Sequence, residues 1–240
     1  DHDVWIKGIV VKPDNHRVVH HIIVRARDKG QTQDNPNDAF LIGWAPGSPE
    51  MFYPEGTGKL IKKGSVLDFE MHYTTSGREE KDQSEIGIYL LPEKPRMVLK
   101  THAAYNFDFE IDPHESSENT FATYVFKKDS LLFDLSPHMH LRGSWMKMEA
   151  LYPNGHREVL LSVPHYDFNW QRNYRLKEPK RMPAGTWILC SGGFDNSARN
   201  PNNPNPDIKV QWGDQSFDEM FIGFMGVAEI PPEPKLSAKE

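Results

Sequence analysis

The sequence predicts an all-β protein. Nineteen prolines and seventeen glycines punctuate its 240 residues, few stretches longer than ten residues hold a 3.6-residue apolar period, and short segments rich in β-branched and aromatic residues recur between turn formers. Ten segments read as strands. "WIKGIVV" (5–11) and "VVHHIIVRA" (18–26) are rich in valine and isoleucine, and "SVLDFEMHY" (65–73) alternates, with Val66, Asp68, Glu70 and His72 on one face and Leu67, Phe69, Met71 and Tyr73 on the other. "IGIYLL" (86–91), "FATYVF" (121–126) and "LLFDL" (131–135) are short apolar runs. "MKMEALY" (146–152) and "EVLLSV" (158–163) flank Asn154-Gly155, a strong two-residue hairpin signal. "TWILCSG" (186–192) and "MFIGFMGV" (220–227) complete the set.

Strands of this length and spacing suggest sandwiches or jelly rolls, and 240 residues suffice for two such units, each with its own core. The polar, proline-containing passage "LPEKPRMVLKTHAAYNFDFEIDPHESSENT" separates two strand-rich halves, so a boundary is expected near residue 103, giving domains 1–103 and 104–240. The passage "DNSARNPNNPNPDIKVQWGD" (195–214) holds too many turn formers for a strand and reads as an ordered surface loop packed on its own side chains.

Composition excludes several classes. A net charge of −6 with interspersed signs offers no basic field, so no nucleic-acid partner is expected. No window approaches 18 consecutive apolar residues, so no membrane insertion is expected, and the opening "DHDVWIKGIV" has neither the charged nor the apolar part of a secretion signal. Cys190 is the single cysteine, which rules out an internal disulfide or a CxxC motif and fits a bacterial protein better than one secreted by an animal.

Chemistry concentrates in the histidines. His138 and His140 of "SPHMHLRG" are two residues apart; on a strand they share a face roughly 7 Å apart, a span two imidazoles can close on one ion. The spacing also suits a hydrogen-bonded, half-buried pair. Ser144 and Trp145 stand where a cupin needs glutamate, and Arg142 and Gly143 stand where a metallo-β-lactamase motif needs aspartate and histidine. His20 and His21 are adjacent, so on a regular strand they point to opposite faces, and one ion could take both only at a bulge or a strand end. His72 falls on the polar face of its segment. Met220 of "SFDEMFIG" is either core filler or a thioether ligand. Neutral imidazoles combined with a thioether form a donor set that favours copper cycling between its two oxidation states over zinc or magnesium.

The order of these motifs, an adjacent His-His, then "MHY", then His-x-His, then "DEM", resembles the type II copper, ascorbate-dependent monooxygenases, the peptidylglycine α-hydroxylating and dopamine β-monooxygenases. The text around "SPHMHLRG", "FDNSARNPNNPNP" and "QWGDQSFDEM" resembles a bacterial branch often joined to cytochrome-like or thioredoxin-like segments. The resemblance implies two tandem jelly-roll-like β-sandwich domains with a cleft between them and two copper ions per chain. It implies that His20, His21 and His72 hold the electron-transfer copper, and that His138, His140 and Met220 hold the copper that meets O2 and form the catalytic set. It further implies hydroxylation of a C–H bond in a small organic substrate, with ascorbate or a cytochrome as electron donor. A cytochrome or another subunit of a larger protein is the implied partner, and the implied location is extracytoplasmic, periplasmic or secreted. Asp68, Glu70, Asp218 and Glu219 lie near the ligand positions in sequence, as partners for the imidazoles or as solvated carboxylates.

The sequence departs from the family where the peptide-amidating enzyme grips its substrate. The arginine before the His-x-His and the tyrosine after the methionine are Ser136 and Phe224 here, which argues against a glycine-extended peptide. Arg142, Trp145, Trp170 and Trp212 are candidates for an aromatic cleft or for ordinary packing. Two other readings stand beside catalysis: a copper-binding or interaction module without turnover in a larger, cytochrome-associated assembly, and a plain β-sandwich that binds carbohydrate or protein.

Overall fold

The computed structural model describes residues 2–30, 40–48 and 50–231, and every regular element in them is a strand. The first eight are β1 (Val4–Lys12), β2 (Val19–Arg27), β3 (Phe40–Trp44), β4 (Met51–Phe52), β5 (Thr57–Ile61), β6 (Val66–Tyr73), β7 (Glu85–Leu91) and β8 (Met97–Tyr105). They are followed by β9 (Glu110–Ile111), β10 (Glu118–Val125), β11 (Ser130–His138), β12 (Gly143–Leu151), β13 (Arg157–Val163), β14 (Tyr174–Met182), β15 (Trp187–Phe194), β16 (Val210–Gln211) and β17 (Ile222–Glu229). Each of the ten expected segments overlaps one of these strands. The expected hairpin joins β12 to β13, with Leu151 opposite Arg157 and Gly155 at a φ of 83°, the left-handed conformation that the turn demands.

An eight-stranded sheet runs in the order β14-β11-β17-β8-β5-β1-β4, with β7 also on β1. A four-stranded sheet, β10-β15-β12-β13, packs against its β14-β11-β17-β8 end, and a three-stranded sheet, β3-β2-β6, against its β1 end. The result is β-sandwich packing around two cores. One gathers Leu132, Leu135, Met148, Cys190, Phe221 and Met225; the other gathers Ile6, Ile9, Ile22, Val24, Leu41 and Trp44.

The alternation of strand side chains ties the cores together. In β11, Leu132 enters the first core while Phe133 enters the second; in β17, Val227 and Ala228 divide in the same way. The polar passage expected to separate the halves contains β8, and residue 103 lies inside that strand. β8 pairs antiparallel with β17 and parallel with β5, so it stitches strands from both halves into one sheet.

The 195–214 passage is an ordered loop, apart from the two residues of β16. Asn196 is fully buried and donates to the carbonyls of Asp112 and Ile208, and Asn200 donates to those of Leu141 and Asp195. Its own amide side chains supply the partners that a sheet ladder supplies elsewhere.

Candidate metal centre

His20 and His21 lie in β2, and the ladder between β2 and β6 shifts register between Val19 and His21. This is the irregularity that adjacent histidines need in order to turn to the same side. Their Nδ1 atoms are 2.9 Å apart. His72, across the ladder from His21, stacks on it with ring centroids 3.8 Å apart. The Nε2 of His72 lies 2.8 Å from Glu70 Oε1, so as donor to that carboxylate it leaves Nδ1 with the free lone pair. Glu70 also receives Arg25 and is held down to about 2, first by the His72 hydrogen bond. Asp68 pairs with Arg27.

His138 ends β11, so His140 lies just past the strand and not within it as expected. The alternation nevertheless persists. Met139 is fully buried on the opposite side, and the two imidazoles sit with centroids 5.2 Å apart. His138 Nδ1 meets Gln171 Oε1 at 2.6 Å, and His140 Nδ1 faces the carbonyl of Asp218 at 3.3 Å. Both acceptors lack a proton, so each ring donates from Nδ1 and keeps the Nε2 lone pair free.

Met220 does not belong to a strand: β17 starts at Ile222. Its neighbour Glu219 is fully buried, and the Glu219 carboxylate accepts the backbone N–H of His140 at 2.8 Å and that of Arg142. This clamp brings the partly buried Met220 to the end of β11. Of the four acidic residues singled out by proximity, Glu70 alone reaches an imidazole with its side chain. Asp218 offers its backbone carbonyl to His140, and Glu219 binds backbone.

Burial keeps the rings neutral. His21 and His140 are each pulled down to about 3, first by desolvation and then by neighbouring histidines, and His20 and His138 are lowered chiefly by burial. A ring neutral in the fold and titrating near 6.5 when unfolded contributes stability that is present above pH 6.5 and is lost as pH falls toward 3. Stability should therefore drop between pH 6.5 and 4 by up to about 1.4 kcal/mol per pH unit for each of His21 and His140. Glu70 adds to the loss below about pH 4.5. Urea midpoints at pH 7, 6 and 5 test this; a flat profile would mean that these rings are charged in the fold.

Among the described residues no group of three or more His, Cys, Asp or Glu side chains stands close enough together to hold an ion as placed. The donor set fits copper in its chemistry. Two imidazole nitrogens about 2.0–2.1 Å from one ion and about a right angle apart are themselves about 2.9 Å apart, the spacing of the His20 and His21 Nδ1 atoms. Four neutral imidazoles, with three of the five rings oriented by a partner at their other nitrogen, suit a soft to borderline metal, as a thioether does.

No family model matches the chain. No curated protein matches it either. Solved structures to which it is similar include the infectious bursal disease virus Gx strain, at 9% identity and TM-score 0.27, covering 95% of this chain and 58% of that one. Another is the VP2 subviral particle of the same virus, at 10% identity and TM-score 0.27, covering 95% and 57%. This chain thus spans less than two thirds of theirs, and likeness at that score carries no argument about function.

The cleft-lining candidates settle elsewhere. Arg142 is fully buried, its guanidinium spent on Asn196 Oδ1 and the carbonyls of Phe217 and Asn205. Trp145 lies against Gly193, Trp212 packs edge-on to Phe107, and Trp170 is exposed with Arg172 over its ring. Between the two histidine groups stands Phe168, stacked on His20 and edge-on to His140, where a cleft was expected. Sequence reasoning missed Phe168 and Gln171; the available signal was the aromatic turn "HYDFNWQ" between two strands. Ser136 and Phe224, the two departures from the peptide-binding pattern, are register partners, and Phe224 stacks on Phe40 beside His138.

Among the described residues no helix is long and apolar enough to cross a membrane.

Proposed function

We propose that this chain is a copper-dependent monooxygenase of the type II, ascorbate-dependent kind, hydroxylating a C–H bond of a small organic substrate with O2 and an external reductant. His20, His21 and His72 of the 1–103 half would hold one copper through Nδ1, and His138 and His140 of the 104–240 half, with Met220, a second through Nε2 and the thioether. The observation that carries this reading is the pairing of two neutral imidazole groups, one from each half, against a single phenylalanine ring. Copper bound there would supply the one-electron chemistry that activates O2.

The residues around those positions do the rest. Glu70 and Gln171 orient His72 and His138 by holding one ring nitrogen of each. Phe224, stacked on Phe40, places an apolar ring beside His138 where the peptide enzyme has a phenol, and Arg142 is not free to clamp an anion, which argues against the carboxylate grip of the peptide-amidating kind. Ascorbate or a cytochrome would serve as donor in an extracytoplasmic setting.

The test is copper stoichiometry after reconstitution and dialysis, with ascorbate-driven O2 uptake measured on the same samples. Two coppers per chain, falling to one in His138→Ala, together with O2 uptake, is the expected result. Two coppers without uptake on any substrate would favour a copper-binding module within a larger assembly; at most one copper, insensitive to His138, would make "HMH" structural.

A further inference from the structure

The turn between β13 and β14 touches both histidine groups of the candidate centre. Tyr166 holds the backbone of Met139 from both sides, receiving its N–H at 3.0 Å and donating its hydroxyl to its carbonyl at 2.7 Å. Two residues on, Phe168 is buried, stacked on His20 at 5.4 Å with an interplanar angle of 20° and edge-on to His140 at 5.9 Å. Three residues further, Gln171 takes His138 Nδ1 on its Oε1 and donates its amide to the Phe168 carbonyl at 3.0 Å. Asp167 closes the turn, accepting the N–H of Asn169 on its side chain and that of Trp170 on its carbonyl. The next residue, Arg172, donates to the carbonyl of Gly47 in the N-terminal half.

We propose that residues 166–171 form a clasp that positions the two histidine groups against each other, with Phe168 as the positioning residue that sets their separation. A ring stacked on His20 and perpendicular to His140 cannot shift without losing one contact, because packed aromatic surfaces leave no slack. Tyr166 and Gln171 fix the same turn to both sides of the His-Met-His segment, so the spacing is held at three points. The consequence rests on the copper reading: the clasp would set the separation of the two histidine groups at which bound copper would supply its one-electron chemistry. The contacts themselves do not depend on metal.

Two measurements separate these levels. In the metal-free protein the imidazole carbon-bound protons of both His20 and His140 should be displaced by the Phe168 ring current, and Phe168→Leu, which keeps most of the volume but has no ring, should abolish both displacements while Phe168→Tyr restores them. Displacement of only one set, or of neither, overturns the clasp. In the copper-loaded protein, pulsed electron paramagnetic resonance should give one narrow Cu(II)–Cu(II) distance in the parent and in Phe168→Tyr, and a broadened, longer distribution in Phe168→Leu with two coppers still bound. An unchanged narrow distance in Phe168→Leu overturns the positioning role, whereas fewer than two coppers in the parent overturns the copper reading and leaves the metal-free spectra to decide the clasp.

Discussion

Met220→Leu should keep the fold and lose ascorbate-driven O2 uptake. Leucine and methionine are close in volume, and position 220 is partly buried in the loop before β17, so the expected stability change is below about 1.5 kcal/mol. The chemical change is large, since the proposal gives Met220 the soft donor's place beside the His138 and His140 pair, and a soft ligand is what favours the reduced state of copper over the oxidised one. Copper should still bind to His20, His21 and His72. The decisive comparison is O2 uptake per bound copper alongside the urea midpoint; uptake at the parent rate in a folded, copper-loaded variant would remove Met220 from the site.

Glu219→Gln should be strongly destabilising although it is isosteric. The carboxylate spends one oxygen on the His140 N–H and the other on the Arg142 N–H, inside a fully buried setting. A glutamine amide can accept only one of them and turns an N–H2 group toward the other, leaving a buried donor unpaired at a cost of about 1–3 kcal/mol. The same change loosens the link between the end of β11 and residue 220. The expected result is a urea midpoint lowered by that amount, together with selective loss of the copper that depends on His138. Full stability and two retained coppers would show that the clamp is dispensable.

Much of the fold was legible because period-two patterning and β-branched residues act locally. The ten expected strands are those in which apolar residues cluster without a competing signal. The missed strands break that pattern for visible reasons. β14, "YRLKEPKRM", carries Pro179 and five charged side chains, yet it lies at the end of its sheet, where a proline costs no ladder bond. β5 is short and contains Gly58 and Lys59, and the buried Lys59 ammonium is satisfied by the carbonyls of Phe40 and Leu41 and by Thr101. β8 has polar Lys100, Thr101 and His102 at its centre and gains its place from neighbours in both halves.

The candidate site divides along the same line. Residue identity and spacing in the chain single out His138 with His140 and require a bulge if His20 and His21 are to share an ion, because these follow from side-chain chemistry and from strand geometry over a few residues, whereas the resemblance to a known family is what joins His72 and Met220 to them and sets Ser136 and Phe224 against a peptide clamp. Which nitrogen of His72 or His138 is free, which carboxylate holds an imidazole and which holds backbone, and what lies between the two groups could be known only once the chain had closed on itself. Gln171 is 33 residues from His138, and Glu219 is 79 from His140. Hydrogen bonds and ring contacts act over a few ångströms in space and are blind to separation along the chain. Local patterning therefore selects the donors, and long-range packing aims them.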